Sequence, residues 1–528
     1  MAVRLLTRWL TVLCLLPAGL TTAAAEEFRT PSISAMRVEW RAVLDQLRTE
    51  IAPRPAVASR FTCAPQRRVP TYDPRATPAL VQLNALNANL FAGIGRSAVP
   101  VLLPFDTAAY LEDGADGTQA SLSRHQADFR PADMFHAGAA GYDAVFSLYP
   151  GAGTGLPSRT FAKPIEVQIT GSILVYDLAD PPGGKGEPVK ALAAQFPDIR
   201  RFIREGYVRY AFTRFGVPYV VSIQCLDSAP RARRLACREA YPVAERFLKA
   251  LRIAGGQPAQ PRYDISSDIA ERPAAASSDF TYYAGGDIIA RSSVRRRGGR
   301  ADYAAYSQIR FPLEKGPAAV RSQSFGGKNP EAGRGVYPWR DNFCEARSFQ
   351  VGQCAAGFGH QGQDIRPAPC PPNSTSDSAC HPRKQAVVAV RDGILIRSPK
   401  QQAATLQINT RNEHIRFRYM HMNPSAMDAD GIFNGRRVAE GEKIGVVSNY
   451  LDFPNGTSYH LHFDVQVFTR DGWIWVNPYT TLIASYERLI RARGREIGTD
   501  PPVAAAVAHA LPDDVLRHSA RQGEGREN

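Results

Sequence analysis

The strongest constraint on the fold of this chain is a series of short, strand-like segments between residues 386 and 467. Apolar and polar residues alternate within the segments, and turn sequences such as Arg391-Asp392-Gly393 separate them. Alternation with a period of two is typical of strands with one buried face, and short turns join antiparallel neighbours. The pattern predicts a mostly antiparallel β-sheet in this half of the chain. The candidate strands are Ala386–Val390, Ile394–Ser398, Thr405–Thr410, Ile415–His421, Lys443–Val447 and His460–Val467.

Three short motifs in this half carry chemically active side chains. They are FGHQGQDI at 358–365, RYMHM at 418–422 and YHLHFDV at 459–465. On a strand, residues two apart face the same side, so His460 and His462 project together. His360, Asp364 and His421 add nitrogen and carboxylate donors of the kinds that usually bind zinc. The residues alone therefore predict a metal site with five candidate groups.

Five groups are enough for a hydrolytic metal site. A catalytic zinc usually has three protein ligands and an open position for water, which leaves two groups to move protons. Zinc acidifies bound water, and an imidazole titrates near neutral pH, so no nucleophilic serine or cysteine is needed. Lone histidines and lone His-x-His pairs often have no metal. The prediction therefore depends on the joint pattern, and His381 and His414 are given no role.

The order and spacing of the motifs resemble those of the LytM (lysostaphin-like) zinc peptidases. The resemblance includes VRDGIL at 390–395 and EGEKIG at 440–445, and it extends from about Phe358 to Pro478. It implies a small antiparallel β-sheet with the active site in a groove walled by loops. It also implies substrates among the peptide stems and cross-links of bacterial peptidoglycan.

The same resemblance assigns the five groups. It implies that His360, Asp364 and His462 bind one Zn²⁺ per catalytic domain, and that His421 and His460 are the catalytic histidines.

The chain departs from the family pattern in three places. An insertion follows the Asp364 motif at Pro367–Arg383, the loop Ser448–Tyr459 is longer than usual, and a cysteine-flanked segment, Cys344–Cys354, precedes His360. We expect these segments to wall the groove and to affect substrate choice. None removes a ligand or a catalytic histidine.

The N-terminus predicts export. Arg4 and Arg8 precede a short apolar run, Trp9–Leu20, and Ala23–Ala25 provides a small-residue cleavage pattern. This order is typical of a signal peptide, predicted at residues 1–25. A membrane anchor is the alternative, but the run is shorter than the roughly 20 residues that a membrane-spanning helix needs. The expected location is periplasmic or secreted, with no transmembrane segment after cleavage. There the net charge of +14 favours the anionic envelope over nucleic acid as a partner.

The cysteines agree with an oxidising compartment, where disulfides form. Cys14 lies in the signal peptide and Cys63 stands alone. The other six form three locally spaced pairs, although spacing does not fix the pairing. The pairs are Cys225 with Cys237, Cys344 with Cys354, and Cys370 with Cys380.

The 528-residue chain is too long for one ordinary core. We expect a multidomain α+β protein with a mixed α+β region of unknown role at 26–256, which includes a helix over Ser32–Ile51 and a hairpin over Tyr207–Cys225. A linker and small β extension follow at 257–330. The catalytic domain is predicted at 331–495, and a disordered tail at 496–528. The size of the N-terminal region suggests that part of it covers the groove or directs the protein to the wall.

Taken together, the sequence predicts a secreted zinc metalloendopeptidase that hydrolyses peptide bonds of peptidoglycan. The alternative is a non-catalytic wall-binding protein or an activator of other wall hydrolases. Loss of ligands would indicate that alternative, and all five groups are present. No pattern in the sequence predicts an oligomeric state.

Overall fold

The structure is a computed structural model. It describes residues 31–51, 78–107, 109–110, 127–148, 156, 161, 164–178, 186–204, 206–225, 233, 235–258, 277–286, 307–320, 338–354, 357–367, 385–451, 454 and 456–497. The predicted signal peptide, Cys63, the pair Cys370 and Cys380, nearly all of the 367–383 insertion and nearly all of the predicted tail lie outside these residues.

The N-terminal half contains three helices and eleven short strands among its described residues. In chain order they are β1 (Ile33–Ala35), α1 (Trp40–Glu50), α2 (Pro78–Asn87), a 3₁₀ turn (Ile94–Arg96), β2 (Val101–Leu103), β3 (Arg130–Ala137), β4 (Gly141–Leu148), β5 (Ile165–Ser172), β6 (Leu174–Tyr176), β7 (Glu187–Pro188), a second 3₁₀ turn (Lys190–Leu192), β8 (Arg200–Arg204), β9 (Tyr207–Arg214), β10 (Val217–Gln224), α3 (Cys237–Ala250) and β11 (Arg252–Gly255).

Seven of these strands form one antiparallel sheet in the order β3-β4-β5-β10-β9-β8-β7. The predicted hairpin is confirmed, because β9 and β10 pair along their full length across a turn at Phe215 and Gly216. Both turn residues have positive φ, 52° and 81°, which matches the right-handed twist of hairpin strands. The apolar face of α3 packs against this sheet through buried residues such as Phe247.

The helix predicted from Ser32 is wrong at its start. Residues Ile33–Ala35 instead form β1, which pairs with β6, and α1 begins at Trp40. The partner strand is remote in sequence, so helical spacing of apolar residues gave no sign of it.

The C-terminal half contains two helices and twelve strands among its described residues. They are β12 (Ser277–Tyr283), β13 (Ala318–Val320), β14 (Gln363–Pro367), β15 (Ala386–Val388), β16 (Gly393–Ile396), β17 (Ala404–Asn409), β18 (His414–Met420), α4 (Pro424–Ala429), β19 (Arg437–Val438), β20 (Lys443–Val446), β21 (Leu461–Thr469), β22 (Gly472–Val476), α5 (Tyr479–Ile490) and β23 (Arg493–Ile497).

An antiparallel sheet of eight strands dominates this half, in the order β13-β14-β21-β18-β17-β16-β19, with β22 also paired to β21. All six predicted strands are confirmed to within two residues at each end. The described residues thus form mostly β-sheet with five helices, in agreement with the predicted α+β class.

The two central strands of this sheet have an apolar face and a polar face. In β21, Leu461, Phe463 and Val465 point into the core that α5 helps to cover. The alternate residues, His462 and Asp464, lie on the opposite face. One face therefore supplies packing and the other can carry a site.

Strands from the predicted linker also belong to this core. β13 pairs with β14, placing Val320 opposite Ile365, and β12 pairs with β23 in parallel. Phe280 and Phe311 pack beside Trp339 in the same cluster. The domain boundaries stay predictions, but these contacts show that residues before position 331 help to complete the core.

A buried polar cluster joins the two large sheets. Asp143 of β4 accepts from Nε2 of His414 at 2.7 Å and from Nη2 of Arg416 at 3.1 Å, both on β18, and from the Thr170 hydroxyl at 2.7 Å. Burial alone raises the pKa of Asp143, but His414 and Arg416 outweigh it and lower this pKa to about 2. The cluster therefore contains a carboxylate.

This junction lies at the end of β18 away from His421. The seven residue steps from His414 to His421 correspond to about 20 Å of extended chain. This polar junction is thus remote from the predicted site, and the predicted role of the N-terminal region as a cover or wall-directing region stays untested.

Two of the three cysteine pairs lie at bonding distance. The Sγ atoms are 2.07 Å apart in Cys225–Cys237 and 2.06 Å apart in Cys344–Cys354.

Among the helices that the structure describes, none has the length and apolar character to cross a bilayer.

Candidate metal centre

The side chains of His360, Asp364 and His462 meet at one point. Nε2 of His360 lies 3.0 Å from Nδ1 of His462 and 3.2 Å from Oδ1 of Asp364. Nδ1 of His462 lies 3.3 Å from the same oxygen. All three residues are buried. Within the described ranges, this is the one group of three or more such side chains close enough to share an ion.

The register of the sheet brings two of these residues together. Asp364 on β14 lies directly opposite His462 on β21. Side chains of facing residues in an antiparallel pair are about 5 Å apart at Cβ. Gly362 permits the close approach, because a Cβ there would lie 2.9 Å from Nε2 of His462 and 2.4 Å from the carbonyl oxygen of Phe463.

Asn342 fixes the orientation of His360. The Nδ1–H of His360 donates to the carbonyl oxygen of Asn342 at 2.9 Å, so Nε2 keeps its lone pair and faces the other two donors. The side-chain oxygen of Asn342 also accepts from the backbone N–H of Asp364 at 3.3 Å. Asn342 thus contacts both donors of the first motif, His360 and Asp364.

Asp464 supports the third donor. Its Oδ2 lies 3.3 Å from Nε2 of His462 and accepts from Nε of Arg418 at 2.7 Å. Its Oδ1 accepts from the Trp475 indole N–H at 3.0 Å. The carboxylate is therefore held from two sides, and it favours the His462 tautomer whose Nδ1 faces the donor triangle.

His421 and His460 lie beside the triangle. Their ring centroids are 4.7 Å apart, and that of His421 is 6.0 Å from that of His462. Nδ1 of His421 donates to the Tyr450 carbonyl oxygen at 2.7 Å, and Nδ1 of His460 donates to that of Ser458 at 2.8 Å. In the neutral form of each ring the lone pair is therefore on Nε2.

The backbone at His421 is left-handed, with φ of 69°. A non-glycine residue rarely adopts this conformation, which here ends β18 and turns the ring toward the other histidines. The His421 N–H donates to the side-chain oxygen of Gln402, which holds the backbone in this conformation.

The electrostatics of four of these groups fit their positions. Burial raises the pKa of a carboxyl, but His360 and His460 outweigh burial and hold the pKa of Asp364 well below its ordinary value. Burial lowers the pKa of His460, and it lowers the pKa of His421 further, to well below its ordinary value. Burial also disfavours the charge on His462, but its two carboxylate neighbours raise its pKa overall. The Asp364 and Asp464 carboxylates thus favour a positive charge beside them, at His462.

The donor set fits a zinc ion. Zinc bonds of about 2.0–2.2 Å in a tetrahedron separate neighbouring ligand atoms by about 3.3–3.6 Å. The three edges here, 3.0, 3.2 and 3.3 Å, are within a few tenths of an ångström of that range. Two imidazole nitrogens and one carboxylate oxygen also form a common catalytic zinc set.

The structure brings all five predicted residues into one cluster. Nε2 of His460 lies 3.3 Å from Oδ1 of Asp364, as near to it as the predicted ligands are. The distance to Asp364 therefore does not distinguish the predicted ligands, His360 and His462, from the predicted catalytic residue His460. The roles of the individual histidines stay predictions. The sequence motifs predict no role for Asn342, Asp464 or Trp475. A signal existed for Asp464 alone, since it follows His462 by two residues on the same face of β21.

Comparison with solved structures finds a partial likeness. A crystal structure of a candidate glycyl-glycine endopeptidase LytM from Ruminococcus gnavus ATCC 29149 aligns over 37% of this chain, at 17% identity and a TM-score of 0.21. The match spans 66% of that protein, slightly less than two thirds. Comparison of the sequence with protein families finds no match, and comparison with curated proteins finds none either. This likeness is too weak to carry a functional argument, so the residues themselves must carry it.

Proposed function

We propose that this protein is an exported zinc metalloendopeptidase that hydrolyses peptide bonds in peptidoglycan stems or cross-links. The observation that carries the proposal is the buried triangle of His360 Nε2, Asp364 Oδ1 and His462 Nδ1, with edges of 3.0–3.3 Å. Two further imidazoles stand beside it. Three donors for the ion, with a general base or acid beside them, can support metal-assisted amide hydrolysis.

His360, Asp364 and His462 would hold the ion. When bound, zinc supplies a Lewis acid that polarises an amide carbonyl and increases the acidity of water. Asn342 and Asp464 keep the two histidine donors in the tautomers that point inward. The low pKa of Asp364 keeps its carboxylate ionised across the physiological range.

His421 and His460 would handle protons and developing charge. Burial lowers the pKa of both rings, so both are neutral near pH 7 and each can accept a proton at Nε2. A ring that has accepted a proton can return it to the departing amine or donate a hydrogen bond to the oxyanion. The carbonyl oxygens of Tyr450 and Ser458 hold the rings in place for this task.

The choice of substrate rests on the sequence. The motifs resemble those of peptidases that cut wall peptides, and the net charge of +14 suits an anionic envelope. The two disulfides support export, because such bonds persist in oxidising compartments.

Incubation of the full-length protein with purified sacculi tests the proposal. We expect cross-linked muropeptides to decrease, a zinc chelator to prevent the decrease, and added zinc to restore it. Mass spectrometry of the released fragments would identify the bond. Sacculi whose cross-linking is unchanged with a zinc-loaded protein would contradict the proposal.

Replacement of His421 by alanine should separate catalysis from metal binding. We expect kcat to fall by about 100- to 10,000-fold, the usual contribution of a general acid or base. The zinc content should stay near that of the unmodified protein, because His421 is not among the three converging donors. Loss of zinc in this variant would instead make His421 a ligand.

A further inference from the structure

The backbone segment Asn342–Glu345 holds His360 at three points. The carbonyl oxygen of Asn342 accepts from Nδ1 of the ring at 2.9 Å. The N–H of Cys344 donates to the His360 carbonyl oxygen at 2.8 Å, and the His360 N–H donates to the Glu345 carbonyl oxygen at 2.8 Å. Both the backbone and the ring of one metal donor are thus set by a single short segment.

The disulfide Cys344–Cys354 closes a loop that begins inside this segment, so Cys344 and Glu345 belong to both. Cys344 has φ of 63°, a left-handed conformation that a non-glycine residue keeps only when its surroundings hold it. The disulfide also packs against the residue before His360. A Cβ on Gly359 would lie 2.7 Å from the Cα of Cys344 and 2.9 Å from the Sγ of Cys354.

The same disulfide reaches the second histidine donor. Phe343, Val351 and the two cysteines form a small buried cluster with Trp475. The Trp475 indole donates to Asp464, which lies 3.3 Å from Nε2 of His462. The loop therefore contacts the metal centre through His360 directly and through Trp475 indirectly.

We propose that the disulfide-closed loop Cys344–Cys354 is a positioning clamp for the metal centre, so that zinc affinity and the oxidation state of this disulfide are coupled. The inference rests on the zinc site of the proposed function. A dithiol reductant would break the Sγ–Sγ bond, supply two electrons and two protons to give two thiols, and become a disulfide itself. The freed segment would then hold His360 less firmly.

The expected size of the coupling between zinc binding and disulfide oxidation follows from the kind of contact, which is one that orients a metal ligand. Loss of groups that orient metal ligands typically weakens metal affinity about 10- to 100-fold. Coupling between two equilibria is reciprocal, so zinc should make this disulfide harder to reduce by the same factor. The disulfide Cys225–Cys237 lies in the N-terminal half, outside the core that carries the site, and should show no such effect.

The test uses the full-length protein, zinc-free and zinc-loaded. Each form is equilibrated in dithiothreitol redox buffers, with free zinc fixed by a metal buffer, and the thiols are alkylated and counted by peptide mass spectrometry. We expect zinc to shift the reduction equilibrium of Cys344–Cys354 by about 10-fold or more. That of Cys225–Cys237 should shift less than about 2-fold.

A matched pair of double variants supplies a second measurement. We expect Cys344→Ala with Cys354→Ala to weaken zinc binding about 10- to 100-fold in chelator competition. Cys225→Ala with Cys237→Ala should leave it within about 3-fold. Thermal unfolding identifies any variant that fails to fold, and the redox titration of the unmodified protein then decides alone.

Three results would overturn the coupling. In the first, zinc binds but shifts the reduction equilibria of Cys344–Cys354 and Cys225–Cys237 by the same factor. Reduction could instead strengthen zinc binding, which would make the thiols ligands. In the third, the full-length protein binds no zinc at pH 7, which would remove the proposed function together with the clamp. The first two results would remove the clamp alone, so the two failures are distinguishable.

Discussion

Replacing His462 with alanine should remove stoichiometric zinc and reduce kcat/KM on peptidoglycan by about 1000-fold or more. This decrease in kcat/KM should be larger than the decrease of about 10- to 100-fold that follows when a group that only orients a ligand is altered. His462 supplies one corner of a three-donor triangle whose other corners are His360 and Asp364. Two remaining donors would bind the ion weakly, and amide hydrolysis would lose its Lewis acid.

Zinc content by mass spectrometry of the purified metal-loaded protein, together with initial rates on sacculi, would measure both effects. His136→Ala is a matched control. His136 belongs to β3 in the N-terminal sheet, and its buried Nδ1 has no hydrogen-bond partner in the described part of the chain. We expect this variant to keep its zinc and its rate. A His462→Ala protein that retained one tightly bound zinc would remove His462 from the ligand set.

The central strands of the site could be predicted because their sequences alternate strongly. β18 and β21 lie within two residues of their predicted bounds, and the alternation places His462 on the polar face. The convergence of His360 with His462 could not be derived in the same way. It depends on the pairing of β14 with β21, about 100 residues apart, and periodicity within one strand does not encode that register.

The residues that hold the metal donors in place could not be predicted from the sequence for a related reason. Asn342 acts mainly through its backbone carbonyl, which every residue has, so no side-chain motif marks it. Trp475 contacts Asp464 only because β22 folds back along β21. Cys344 and Cys354 stood out in the sequence as a pair, but their packing against Gly359 needs three-dimensional structure.

The junction of the two sheets should contribute more to stability than any single surface contact. Asp143 is 1% exposed, and it is the shared carboxylate partner of His414 and Arg416, which are also buried. The Arg416 guanidinium also lies 3.9 Å from the centroid of the Trp473 ring, whose indole N–H donates to Thr170. Removal of the carboxylate would leave a buried cation without its counter-charge.

We expect Asp143→Ala to lower the free energy of unfolding by about 3–5 kcal/mol, the usual effect of breaking a buried ion pair from one side. Urea unfolding followed by tryptophan fluorescence would measure it. Asp430→Ala is the matched control, because the Asp430–Lys443 pair is about half exposed and should contribute less than about 1 kcal/mol.

A second substitution separates the ion pair from packing. Adding Arg416→Met to Asp143→Ala removes the stranded cation and should recover part of the lost stability, as apolar replacement of buried ion pairs often does. Zinc affinity should stay within about 3-fold in both variants, since the junction lies about 20 Å along β18 from His421. A loss below about 1 kcal/mol in Asp143→Ala would contradict the prediction and would leave the apolar contacts between the sheets, such as Phe468 and Trp473 against Val220, as the main source of their association.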